Sequence, residues 1–109
     1  MSISRQNLTV VIVSFISENV IHNCIQSIPS DIKIIIVDNS NNKLFKERIE
    51  KKYINVTCIL SLENLGMGSG NNLGLRKVLT DFAFILNPDV ILKKNTIDEI
   101  IEASKFIPS

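Results

Sequence analysis

Four short apolar runs, Leu8–Val13, Ile32–Val37, Val56–Leu60 and Phe82–Leu86, recur about every two dozen residues along the chain. They are rich in Val, Ile and Phe, and none alternates cleanly between apolar and polar residues. A strand that is apolar on both sides belongs in a sheet covered on both faces, as parallel sheets are. The interval between runs leaves room for one crossover helix each.

The intervening segments fit that role. Glu18 to Ile28 sets Val20, Ile21, Cys24, Ile25 and Ile28 at helical spacing, with Ser17 as N-cap and Pro29 as the stop. Asn42 to Tyr53 carries Leu44, Phe45, Ile49 and Tyr53 on one stripe among charged residues. Gly68 to Leu79 and Asn95 to Ser104 are the third and fourth helices, the latter capped by Asn95 or Thr96. The order is β-α-β-α-β-α-β-α, without repeats or linkers. Right-handed crossovers make this one α/β domain over residues 1–109, a three-layer α/β/α open, mainly parallel, Rossmann-like sheet.

Composition narrows the function. Hydrophobic residues are 45% and charged ones 21% of the chain, a globular balance. A net charge of +1 gives no electrostatic reason to expect nucleic acid or an anionic membrane surface. The longest apolar stretches, such as Val10 to Val13, fall far short of the roughly 20 residues of a membrane span. Cys24 and Cys58 form no C-x-x-C pair and read as reduced core thiols. A cytoplasmic protein is expected, with membrane association only through partners.

In open parallel sheets ligands bind beyond the carboxyl ends of the strands. The first run ends in Ser14-Phe15 and the second in Asp38-Asn39-Ser40; the third leads to Glu63-Asn64 and the fourth to Asn87-Pro88-Asp89. Each residue taken alone also suits a turn or cap. The segment from Glu63 to Gly74 holds all four glycines of the chain. Glycines let backbone approach a ligand or a neighbouring helix closely, and a helix start there favours an anion. Neither the dinucleotide fingerprint nor a Walker A loop is present, and tight helix–sheet packing is the competing reading of these glycines.

Four motifs in series, Val11-Ile12-Val13-Ser14-Phe15, Ile36-Val37-Asp38-Asn39-Ser40, Asn64-Leu65-Gly66 through Gly70-Asn71-Asn72-Leu73-Gly74, and Leu86-Asn87-Pro88-Asp89-Val90, resemble the N-terminal half of family 2 glycosyltransferases of GT-A type. The Asn-Pro-Asp form is similar to the rhamnosyltransferase-like branch. The resemblance runs from about Leu8 to Ile101.

It implies a donor site for a UDP- or dTDP-sugar, transferred with inversion to a hydroxyl of a carbohydrate or lipid-linked acceptor, commonly in cell-surface polysaccharide assembly. Ser14 and Phe15 would line the base pocket, and Asp38, with Asn39 beside it, would accept the base N–H. Asn64, Gly66 and Gly70 would close around base, ribose and sugar, with Asn71 or Asn72 facing the site. Asn87 and Asp89 occupy the D-x-D position, where Mg²⁺ or Mn²⁺ meets the diphosphate.

Two departures matter. Ile16 stands where the family's first motif usually continues with Asn. Asn87-Pro88-Asp89 supplies a single carboxylate, which weakens the case for a metal. The resemblance also implies a second half that binds the acceptor and carries the catalytic base, so the chain reads as truncated before it. No residue here is a credible base: Asp98, Glu99 and Glu102 read as a solvated helix face, and His22 as a surface residue. A binding module without catalysis is the alternative, and a plain receiver- or flavodoxin-type domain a third. A sheet cut short exposes an edge and apolar surface, so self-association as a homodimer is expected.

Overall fold

The computed structural model describes residues 2–62 and 66–106. Its elements are β1 (Leu8–Ser14), α1 (Glu18–Gln26), β2 (Lys33–Asp38), α2 (Lys43–Lys52), β3 (Val56–Leu60), α3 (Gly66–Arg76), β4 (Phe82–Leu86) and α4 (Thr96–Ser104), after a single 3-10 turn at Arg5–Asn7. The strands form one sheet in the order β3-β2-β1-β4, and every pairing is parallel.

Alternate residues of each strand face opposite sides. Val10, Ile12, Ile34 and Ile36 pack with Ile21, Cys24 and Ile25 of α1, Phe45 and Ile49 of α2, and Ile97 of α4. Val13, Ile35 and Val37 face the other way, onto Leu73 of α3 and Val78. Three helices therefore cover one face and a single helix the other. Each Val or Ile fully buried in these layers contributes about 1.5–3 kcal/mol.

That asymmetry corrects one expectation. All seven residues of β1 and five of the six in β2 are buried, as their apolar composition requires. In β3 and β4 burial alternates instead, and Thr57, Ala83 and Ile85 are exposed. One helix cannot span four strands, so Thr57 of β3 and Ala83 and Ile85 of β4 stay exposed on the α3 side, while Ile59 is partly buried against Val13, Ile35 and Val37.

The helix signals are mostly local. Asn42 caps α2, its side chain accepting from the Phe45 N–H at 3.1 Å. Ser17 sits at the N-cap of α1 but makes no cap bond; its hydroxyl accepts from the Phe15 N–H and donates to the Phe15 carbonyl. Asn95 likewise occupies its cap position without a side-chain bond. Asp98 is exposed as expected but also paired: Arg5 bridges it and Asp31, each at 2.9 Å.

The two sheet edges differ. On β3, the Cys58 N–H donates to Glu50 at 2.8 Å, and the Cys58 carbonyl accepts from Lys46. Side chains of α2 thus occupy the middle of that edge. No described side chain does so on β4. Both cysteines are free and buried. No helix among the described residues is long and apolar enough to cross a membrane.

Candidate donor site at the carboxyl rim

Because every strand runs the same way, all four carboxyl ends lie along one rim. Ser14 and Asp38 are register partners on β1 and β2, each 1% exposed. They form the floor of a pocket of about 430 Å³ whose walls include Ile16, Ser17, Ser40, Asn42 and Phe45.

Asp38 is held from three sides. Its Oδ1 accepts from the Ser40 N–H at 3.0 Å and the Ser40 hydroxyl at 2.6 Å, and its Oδ2 from the Asn42 N–H at 2.8 Å. A carboxylate offers about four acceptor positions, so capacity for one more donor remains. The Asp-x-Ser-x-Asn pattern gives both readings of Asp38 a part: it organises its own loop and it faces the pocket. Ser40 was read only as part of its strand-end motif and Asn42 only as the start of a helix, although aspartate bonding to backbone two residues on is the ordinary sign of such a turn.

The other expected residues are distributed along the rim. Phe15 is 53% exposed and stands outside the pocket wall, whereas Ile16 is part of it. Asn39 is buried; its N–H donates to the Ser14 carbonyl at 2.8 Å, and its side chain lies beside α3. Gly70 and Gly74 pack against the sheet. A Cβ on Gly70 would come within 2.8 Å of Val13, and one on Gly74 within 2.5 Å of Val11. Helix–sheet packing therefore accounts for these two glycines, while Gly68 has open space beside it. The Asn71 Oδ1 is buried without a hydrogen-bond partner, and Asn72 is exposed. Gly66 is the first residue of α3; Asn64 lies outside the described residues.

Asn87 and Asp89 are exposed, do not line the Ser14–Asp38 pocket, and lie on the α1 side. The Cys24 thiol donates to the Asn87 carbonyl at 3.7 Å. Burial pushes that thiol up to about 11, with the Asp89 charge adding to the effect. Among the described residues no three His, Cys, Asp or Glu side chains gather to hold a metal. Any ion here would rest on Asp89, the Asn87 amide oxygen and ligand oxygens, a sparse set of the kind Mg²⁺ accepts when a phosphate completes its shell.

A larger concavity, about 820 Å³, lies at the opposite end, among Asn23, Gln26, Ser27, Tyr53, Asn55 and Lys94. It is walled by the C-terminal turn of α1, whose carbonyls disfavour an anion. The smaller rim pocket lies at the carboxyl ends of the strands, where open parallel sheets bind their ligands.

The fold is shared with a solved structure described as S. aureus TarS 1-349, at a TM-score of 0.70 over 85% of this chain and 30% of that one, with 20% identity. The architecture is thus an α/β/α sheet of the GT-A type. Residues 9–108 match the model of glycosyl transferase family 2, and the chain belongs to that family. A relative in Haloferax volcanii, the low-salt glycan biosynthesis hexosyltransferase Agl10, is 31% identical over 98 residues, 86% of this chain and 31% of its own length. The chain therefore spans about a third of the proteins it resembles.

Proposed function

We propose that this chain is the donor-binding domain of a glycosyltransferase that takes a UDP- or dTDP-sugar. The observation that carries this is the buried Ser14–Asp38 floor opening into a rim pocket at the carboxyl ends of two central strands. Asp38 accepts the imide N–H of uracil or thymine, with Ser14 beside it, and Phe15 closes over the base from the exposed side. The diphosphate runs along the rim toward Asn87 and Asp89. A divalent ion bound there would neutralise charge on the leaving nucleoside diphosphate. The acceptor hydroxyl attacks the anomeric carbon opposite the leaving group, which inverts the configuration. The carboxylate base for that hydroxyl belongs to the acceptor-binding part of the longer transferase.

Titration calorimetry with UDP and dTDP, with and without Mn²⁺, tests the reading together with amide shift mapping. Expected shifts fall on Ser14, Ile16 and residues 38–42. Shifts confined to Asn23, Gln26 and Tyr53 would move the site to the opposite end and defeat the assignment. Asp38→Ala removes three hydrogen bonds as well as the base contact, so the informative variant is Asp38→Asn with a melting control. A folded Asp38→Asn chain is expected to bind at least about tenfold more weakly, as loss of a charge-assisted bond implies.

A further inference from the structure

The outer edge of β3 is closed by groups of its own chain. Ile34 donates to the Asn55 carbonyl at 2.9 Å, and Ser61 donates to the Asp38 carbonyl at 3.2 Å, so Asn55 and Ser61 turn those groups toward β2. Alternation then turns the backbone groups of Val56, Cys58 and Leu60 outward. A strand added at this edge needs those groups free. The Val56 N–H instead donates to the Tyr53 carbonyl at 3.1 Å. The Cys58 N–H donates to Glu50 Oε2 at 2.8 Å, and the Cys58 carbonyl accepts from the Lys46 ammonium. Lys46 also donates to the same Oε2 at 2.9 Å, which closes a ring of bonds around Cys58. The two side chains are four residues apart on α2, so one helix face presents both. Burial alone raises the Glu50 carboxyl, but the Cys58 N–H and Lys46 outweigh it and hold it below the usual carboxylate range.

We infer that the Lys46–Glu50 pair is a lock that bars strand addition at β3, standing in for one residue of a neighbouring strand. In a ladder, a residue placed as Cys58 is meets one acceptor and one donor from its neighbour. Here the carboxylate supplies the acceptor and the ammonium the donor. An incoming chain can take Cys58 only by breaking an ion pair and two charge-assisted bonds, the strong kind. Cys58 is the middle one of the three outward residues. With it engaged, the Val56 carbonyl and the Leu60 groups are too far apart to seed a ladder. The strand calls for such a device, because Val56-Thr57-Cys58-Ile59-Leu60 contains no charge and no proline to blunt an edge. Every group in the lock lies on α2, on β3 or in the turn between them, so it closes with no help from any other part of the molecule. None of this depends on what the rim binds.

A combined Lys46→Ala and Glu50→Ala variant opens the edge while placing two good helix formers in α2. By light scattering it is expected to reach a larger mass than the parent chain at the same concentration, reversibly on dilution, with an unchanged circular dichroism spectrum. The Leu60 amide meets no described partner in the parent. In the associated variant its exchange is expected to slow at least about tenfold, as paired amides do. Adding Thr57→Lys, a charge on the exposed side of β3, is expected to abolish the association. A combined Glu47→Ala and Lys51→Ala variant removes the same charges from α2 at residues bonded to nothing on β3, and is expected to match the parent. In the parent itself, the Cys58 amide is expected to exchange at least about tenfold more slowly than that of Leu60 at every concentration. Equal rates there overturn the inference without any variant. So does a folded Lys46, Glu50 variant with the parent's mass throughout, or association that leaves the Leu60 amide unchanged or persists with Thr57→Lys. Equal association of the Glu47, Lys51 control overturns it too, since loss of charge alone would then be the cause.

Discussion

At the residue scale, Ile16 is the least comfortable position in the candidate site. Its φ is 50°, in the left-handed region, and its side chain is 75% exposed. A β-branched residue is strained there, at a cost of about 1–2 kcal/mol, and so little of the side chain is buried that packing offsets little of it. Ile16→Gly or Ile16→Asn is expected to raise stability by about 1 kcal/mol, read as a higher urea midpoint at unchanged slope. Asparagine tolerates this conformation well, which gives a backbone reason for the Asn usual at this point of the family motif. The sequence revealed the departure but not its backbone cost, because a left-handed residue between a strand and a helix leaves no trace in periodicity. Asp38 shows the same limit. Its place at a strand end was legible, whereas its three partners depend on a turn whose shape only the fold fixes.

At the scale of elements, α3 separates two uses of glycine within one helix. Gly74→Ala drives a methyl to 2.5 Å from Val11 and 3.2 Å from Val37 and is expected to cost about 1–3 kcal/mol. Gly68→Ala meets nothing within 4 Å and is expected to stabilise by about 0.5–1 kcal/mol. Thermal melts of the two variants should move in opposite directions; a Gly74→Ala chain as stable as its parent would refute the close packing. From sequence the glycine cluster offered ligand approach or packing, and Gly68, Gly70 and Gly74 looked alike. Strand positions were much more legible: β3 and β4 coincide with their apolar runs, and β1 and β2 differ from theirs by one residue at the ends. Coverage was not, since the number of helices on each face is a tertiary property. Ile85 reads like a core residue and is partly exposed because α3 lies over β1 and β2.

At the scale of the whole molecule, the two thiols tie stability to alkaline pH. Burial pushes Cys24 up to about 11, aided by Asp89, and Cys58 to about 12, aided by Asp38. In the unfolded chain both ionise near 9. Above that pH the unfolded state binds fewer protons than the native one, so stability falls as pH rises. The thiol contribution is complete below pH 9 and declines from there toward 11 and beyond. Urea melts at pH 8 and pH 10.5 should show the loss, and a Cys24→Ser, Cys58→Ser chain should lose less. Equal slopes in the two chains would contradict the assignment. The same enclosure governs the rim. Its floor is the tips of β1 and β2, the two strands shut in from both sides. Occupancy should raise the temperature of cooperative melting by an amount that grows with ligand concentration over Kd, because a guest held by both tips is released when they part.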